Sequence, residues 1–370
     1  MNAFTKILHL RVDNNGTAPA VTPIYQCSAF TADSPYFYSR KDNPNVAEFE
    51  KVIGVLEGAK HAMAVTCGMT AIYMSIEMMR SGETLVLNQH VYGCTFKLFQ
   101  LLSKRRNFKL KILDLTVESN LKEIPTDTRM VFFETPTNPF LKTINIRRVS
   151  DYVKSLNPDA LVVVDNTWAT PMFQHPLEHG ADISLHSGTK YFSGHSDVMN
   201  GVLLTNNNEL YEDLQRTRFY GGMVLSPESA WLVRRSMQTF ELRLRYHQSV
   251  TIEMSEFLRT LPQVNNVYYP TVDGSQLTGY GGIIFFEFRD DLISKYEEFS
   301  QALKLFGTGT GMACVTSMVA KPYTGSHASM TAKEKEAIGL GENLVRLCFG
   351  LEASEDLKED LILAFKTIDV

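Results

Sequence analysis

Residues 161–197 read LVVVDNTWATPMFQHPLEHGADISLHSGTKYFSGHSD. Two short apolar runs, LVVVD (161–165) and DISLHS (182–187), each end on a polar residue, and a Pro- and Gly-punctuated connection joins them. Short apolar runs bounded by such turn signals predict buried strands. The same unit recurs as AMAV (62–65), TLVL (84–87), KLKIL (109–113), MVFF (130–133) and GVLLT (201–205). Helical patterns lie between several of them, such as GMTAIYMSIEMMRSG (68–82), apolar at three- and four-residue spacing. Strands alternating with helices predict the α/β class, with a mostly parallel sheet covered on both faces. In such sheets ligands bind beyond the carboxyl ends of the strands. Glu134, Asp165 and Ser187 close or follow three of the runs, so chemistry is to be sought there.

Outward from this core the pattern changes twice. The first 45 residues, with TPIYQCSAF and SPYFYSRKDNPN, show neither helical nor strand periodicity and predict an irregular arm. From Ser226 a long bent helix is expected, with Ser226 as N-cap, Pro227 at N1, and an end at Pro262. Strand candidates IIFFEF (283–288) and LVRLCF (344–349) follow, with helices near 292–305 and 355–368. The expected organisation is an arm (1–45), a large α/β domain (46–225) and a smaller C-terminal α+β domain (226–370).

Composition fits that picture. The 370 residues are 44% hydrophobic and 21% charged, enough apolar material for a large core. The formal net charge is −5, and the densest basic stretch is Lys104-Arg105-Arg106, which reads as a solvated helix end. No clustered positive face for nucleic acid or an anionic membrane is expected. Five widely spaced cysteines, Cys27, Cys67, Cys94, Cys314 and Cys348, without a CxxC pair, suit a reducing compartment. No secretory leader and no run long enough for a membrane span is read, so a cytoplasmic location is expected.

Lys190, in Ser187-Gly-Thr-Lys190, follows a strand and is flanked by small hydroxyl residues that can donate to a phosphate. Partial burial there would lower its pKa, as a Schiff-base lysine requires. A surface turn with an ordinary lysine gives the same local pattern. Asp165 ends four consecutive aliphatic residues, and a carboxylate so placed needs a cationic partner. A protonated pyridine nitrogen would be one, as in pyridoxal phosphate (PLP) enzymes; a helix cap is the other reading. Thr66-Cys-Gly68-Met69 joins the strand AMAV to a helix, whose N-terminal N–H groups attract phosphate. It is neither GxGxxG nor a Walker loop, so nucleotide binding gains no support. Tyr92, in Tyr92-Gly-Cys94-Thr, could stack on a flat heteroaromatic ring or be a core aromatic. His175 and His179 stand four apart, but Pro176 and Gly180 suit a short turn better than a metal site, so no metal is expected. His195 reads as support for the lysine loop.

Taken together these segments resemble the Cys/Met-metabolism family of PLP enzymes, which includes cystathionine γ-synthase, the cystathionine lyases, methionine γ-lyase and the O-acylhomoserine sulfhydrylases. The likeness runs nearly end to end, through YSRKDNPN, LEGAKHAMAVTCGM, VYGCT, ETPTNP, the opening stretch, LSPESA and LVRLCFGLEASEDL. It implies the type I PLP fold, a large domain with a mostly parallel seven-stranded sheet plus a smaller α+β domain. It implies pyridoxal 5'-phosphate as cofactor and an amino acid as substrate. By resemblance, Lys190 carries the Schiff base and moves protons, and Asp165 holds the pyridinium. Gly68, Met69, Ser187 and Thr189 bind the phosphate, and Tyr92 stacks and acts on the leaving group. Tyr38 and Arg40 would reach the cofactor of a neighbouring subunit, which implies a homodimer or homotetramer with shared sites. Asn138 would touch the cofactor's phenolic side or the substrate, and Arg346 would take the α-carboxylate as a bidentate pair.

Two departures bear on substrate. Where the family has a carboxylate-holding serine, this chain has Gly311, and Thr310 stands where cystathionine-handling members often have glutamate. The stretch between Tyr269-Pro270 and Gly281-Gly282 is also shorter than usual. Cys94 gives the YGCT form, which resembles methionine γ-lyases more than the YGGT of many synthases. The expectation is a C–S lyase working by γ-elimination on a methionine-like substrate. The alternatives are a γ-replacement synthase using activated homoserine and a non-catalytic PLP-binding protein.

Overall fold

The computed structural model of the chain describes residues 1–11 and 19–369; positions 12–18 of the arm and Val370 lie outside the described residues. Every apolar run of the middle region forms a strand. They are β1 (His61–Val65), β2 (Thr84–Asn88), β3 (Lys109–Leu113), β4 (Thr128–Glu134), β5 (Leu161–Asp165), β6 (Ile183–His186) and β7 (Gly201–Thr205). They form one seven-stranded sheet in the order β1-β7-β6-β5-β4-β2-β3. β7 runs antiparallel to both its neighbours, and the pairs from β6 to β3 are parallel. The strands read as continuous apolar runs because helices cover both faces of the sheet. Their carboxyl ends therefore share one edge, where β7 begins.

A second sheet holds β8 (Val264–Tyr268), β9 (Ile283–Phe288), β10 (Gly307–Thr308), β11 (Met318–Ala320) and β12 (Leu344–Cys348), in the order β10-β11-β12-β9-β8. β9 and β12 are the two strands expected there. β8 carries two asparagines, and β10 and β11 have two and three residues, too few to show a period. Trp168, after β5, stacks on Phe285 of β9 with ring centroids 6.0 Å apart and so joins the sheets. The long helix is present as Pro227–Ser236 and Phe240–Arg259, bent at a 3₁₀ turn, Met237–Thr239. Ser226 caps it by accepting the Ser229 N–H at 3.2 Å.

The arm departs from the irregular expectation. Ala3–His9 is a helix whose cap, Asn2, accepts the Phe4 N–H at 2.8 Å. Seven residues give two turns, too short for a sequence period, and docking decides the matter. Ile7 is buried, and the Arg234 guanidinium donates to its carbonyl at 2.8 Å. No helix among the described residues is long and apolar enough to cross a membrane.

The helix Pro44–Glu57 ends under β6. The buried Glu57 carboxylate accepts the Ser184 hydroxyl at 2.6 Å and meets His186 Nε2 at 3.1 Å. Glu57→Ala leaves both partners buried and unpaired, which costs about 3 kcal/mol. A fall in the denaturant midpoint at unchanged slope checks this, and an unmoved midpoint contradicts it.

Candidate active site

The strand ends meet at a cavity of about 320 Å³ between the two sheets. β1 leads through Cys67 into the helix Gly68–Ile76, and the turn after β2 brings Tyr92 to the N-terminus of the helix Gly93–Arg106. β4 ends on Glu134 with Asn138 just beyond, β5 ends on Asp165, and β6 leads into Ser187, Thr189 and Lys190. Arg346, at the centre of β12, faces them from the second sheet. Gly68, Met69, Tyr92, Asn138, Asp165, Ser187, Thr189, Lys190 and Arg346, all singled out from sequence, line this one cavity.

The segments meet closely. A Cβ on Gly68 would lie 2.6 Å from the Ser187 Cβ, and one on Gly188 would lie 1.7 Å from Asn200 Oδ1. Only glycine lets the β1 and β6 ends approach this far. The lysine turn is tight: Gly194 N–H donates to the Lys190 carbonyl at 2.8 Å, and the Ser193 hydroxyl to the Thr189 carbonyl at 2.8 Å. His195 Nδ1 sits 2.6 Å from the Ser193 carbonyl, within that turn.

The electrostatics follow from burial. Asp165 accepts the Thr167 N–H at 2.9 Å and its hydroxyl at 2.5 Å. Burial raises its carboxyl, and the Thr167 bonds, His186 and Lys190 pull it back. It stands in no ion pair among the described residues. Burial pushes the Lys190 amine down, and Arg346 adds to this. The Tyr92 phenol is pushed up to about 12 by burial, then by contact with Cys94 and by Glu134, with Arg346 opposing, so it is protonated at neutral pH. Arg346 is fully buried; its Nη2 donates to the Thr310 and Gly311 carbonyls at 3.2 and 3.3 Å, and its Nε has no partner.

Four expected residues stand off the cavity wall. Cys94 is exposed in the first turn of its helix, beside the Tyr92 phenol. Gly311 lies behind Thr310, which does line the cavity. Tyr38 and Arg40 sit on the arm, where the Arg40 guanidinium lies 4.2 Å over the Phe219 ring. His175 and His179 flank and end a short 3₁₀ turn, and no cluster of three or more His, Cys, Asp or Glu suited to a metal occurs among the described residues.

Several wall residues had no assigned role. In sequence Glu134 shows only as a strand end. Thr167 follows Asp165 at the two-residue spacing of an Asx turn, a usable signal. Trp168, Met199, Met312, Gly325 and Ser326 line the cavity without any local motif.

The donor set fits a phosphorylated pyridine. One end offers backbone N–H groups of a nine-residue helix with two hydroxyls, and the other offers a buried carboxylate with no cation. Buried polar atoms without partners, Asn138 Oδ1 and Glu134 Oε2, lie between.

The family model described as "Cys/Met metabolism PLP-dependent enzyme" matches residues 5–366. A cystathionine β-lyase of Lactococcus lactis subsp. cremoris is 35% identical over 96% of this chain and 97% of its own. An L-methionine γ-lyase of Fusobacterium nucleatum subsp. polymorphum is 34% identical over 96% of both chains. A crystal structure of cystathionine γ-synthase from Xanthomonas oryzae pv. oryzae superposes with a TM-score of 0.94 at 33% identity, covering 100% of this chain and 99% of that one. These matches bear out the expected fold class and cofactor, and they set aside the non-catalytic reading. The chain belongs to the Cys/Met-metabolism family of PLP-dependent enzymes.

Proposed function

We propose that this enzyme is a carbon–sulfur lyase that takes an amino acid with a neutral γ-thioether, as methionine has, to an α-keto acid, ammonia and a thiol. The observation that carries this is the wall near Arg346. Thr310 and Gly311 offer no carboxylate there, and Met69, Ile72, Trp168, Met199 and Met312 line much of the rest. The two acids of the cavity, Glu134 and Asp165, sit at the ends of adjacent strands. A distal ammonium would meet no counter-charge on this wall.

The bound cofactor supplies a carbonyl for the substrate amine and a ring that accepts the electron pair left at Cα. Gly68 and Met69 N–H groups with the Ser187 and Thr189 hydroxyls would hold its phosphate. Asp165 would keep its ring nitrogen protonated, Tyr92 would cover the ring, and Asn138 would take its phenolic side. Arg346 holds the substrate carboxylate, for which its buried Nε is free. Lys190 Nζ, pushed toward its neutral form by burial and by Arg346, takes the Cα proton and returns protons later. The Tyr92 hydroxyl, protonated at neutral pH, gives its proton to the departing sulfur, with Cys94 beside it. Tyr38 and Arg40 reach the phosphate in a partner subunit, and the active form is a homodimer or a tetramer of dimers.

The second reading is γ-replacement or cleavage of cystathionine. Relatives of nearly equal identity are named for β-lyase, γ-lyase and γ-synthase reactions. The reactions share the cavity floor and differ in what the wall admits.

Losing one interaction with a charged group weakens binding roughly ten- to a hundredfold. The kcat/KM for methionine is therefore expected to exceed that for cystathionine by about that factor. A clear preference for cystathionine overturns the assignment, and a new thioether on adding a thiol to O-acetylhomoserine selects the synthase reading.

Arg40→Ala and Lys190→Ala chains are each expected to be inactive alone. Mixed as heterodimers they regain one intact site in some assemblies. Proven heterodimers without activity would place Arg40 within its own subunit.

The Lys190 amine also makes stability depend on pH. Its native value lies below the ordinary 10.5. Between the two values the unfolded chain binds more protons, so native stability rises with pH in that window. Cofactor-free Lys190→Met is thus more stable than cofactor-free wild type at neutral pH. Its lead shrinks as pH climbs through the depressed value toward 10.5. A lead that stays constant over that range shows an unshifted lysine.

A further inference from the structure

Glu134 has no role in the chemistry above, yet it is 1% exposed and lines the cavity. It ends β4 directly opposite Asp165 in the parallel register with β5. Its Oε1 accepts the Tyr92 N–H at 2.7 Å, and its Oε2 is buried without any partner. Tyr92 is the N-cap residue of the helix Gly93–Arg106, and no side chain of its own caps that helix. The Glu134 carboxyl is thus a polar anchor fixing the backbone of the residue over the cavity.

Two carboxyls on adjacent strands, both buried, face one cavity, into which the family's cofactor would bring a single cationic ring nitrogen. Only one of them can carry a compensated charge. Asp165 has two Thr167 donors, with Lys190 and His186 nearby. Among the described residues Glu134 has one backbone donor and no cation paired with it. Burial and the Asp165 charge raise its carboxyl well above the ordinary range. The surrounding titratable groups leave that ordering intact. From β5 comes Asp165, from the turn after β2 Tyr92, from the lysine turn Lys190 and from β12 Arg346; behind the wall lie His90 and His327, which burial holds below the ordinary imidazole value. His90 Nε2 lies 3.1 Å from the Ile338 carbonyl, and its Nδ1 is 4.0 Å from Asp114, beyond hydrogen-bond distance.

We propose that Glu134 is a positioning residue that works as a neutral acid: one oxygen fixes Tyr92 through its backbone, the other donates a hydrogen bond into the cavity, and Asp165 remains the one anion of the floor. This rests on the family's cofactor chemistry and not on which amino acid is the substrate. A glutamine reproduces the arrangement, since its carbonyl accepts the Tyr92 N–H and its amide donates where the acid proton did. An alanine removes both bonds.

The test uses full-length protein and whichever amino acid the wild type turns over fastest. Glu134→Ala is expected to lower kcat/KM by about tenfold or more, the loss of a fixed hydrogen bond at the site. Glu134→Gln is expected to restore most of that loss, to within about fivefold of wild type. Independently of turnover, the infrared difference spectrum of wild type minus Glu134→Gln at neutral pH should contain a protonated-carboxyl C=O band, with and without cofactor. Absence of that band overturns the proposal, as does a Glu134→Gln enzyme as damaged as Glu134→Ala, for both would show a working carboxylate. Wild-type turnover by Glu134→Ala would deny Glu134 any role. Should the alanine chain fail to fold, the spectrum and the glutamine variant still decide. A different preferred amino acid would change the substrate assignment and leave these outcomes readable.

Discussion

A buried carboxylate that the chain leaves without a cation of its own sets the terms for this structure. Asp165 closes a strand of consecutive valines, where burial favours the neutral acid. Thr167 opposes that tendency with its N–H and its hydroxyl, and the same hydroxyl accepts the Ser187 N–H at 2.8 Å. One short side chain thus ties the buried carboxylate to the turn that carries Ser187, Thr189 and Lys190. The link exists because β5 and β6 are adjacent and parallel, pairing Asp165 with Leu185, so their exits share one edge. The right order of strands is therefore a requirement of the chemistry and not only of packing.

The other half of the site is fixed from the second sheet. The Tyr191 hydroxyl accepts the Gly282 N–H at 2.8 Å, and the Arg243 guanidinium donates to the Tyr191 carbonyl at 2.9 Å. The Val315 N–H reaches the Gly194 carbonyl at 3.1 Å. These bonds hold the lysine turn against the loop that leads past Thr310 and Gly311, whose carbonyls receive Arg346. Lys190 and Arg346 thereby gain a fixed separation across two sheets far apart in sequence. The amine is also kept dry and near a second positive charge, which lowers it toward the neutral form that proton transfer needs.

Much of this was legible in the sequence because it depends on local signals. Continuous apolar runs mark β1 to β7, and Lys190 among small hydroxyl residues and Asp165 after valines mark the floor. What the sequence withheld depends on tertiary partners. The helix Ala3–His9 exists because Ile7 and Arg234 dock it, and no seven-residue period shows that. β10 and β11 are too short to carry a pattern and form only by pairing with one another and with β12. Ser326 and Met312 reach the wall through loops of the C-terminal part, which no motif announces. Glu134 was visible as a strand end, but its importance comes from the register with Asp165, a relation between strands that their own sequences do not state.

The floor and the wall of the cavity therefore answer to different constraints. Floor residues sit on strand ends whose spacing is limited to what glycine allows, as at Gly68 against Ser187. A change there must move a backbone. The wall near Thr310 belongs to the loop between β10 and β11, where carbonyls bind Arg346 and side chains are free to differ. A serine or glutamate in that loop would alter affinity for one end of a substrate without disturbing the ring or the lysine. Specificity among sulfur amino acids is a difference between affinities, and an uncharged wall discriminates chiefly by leaving a distal ammonium unpaired. Thr310 and Gly311 thus sit in a loop that can change its side chains, and so what the wall admits, while its carbonyls keep their hold on Arg346.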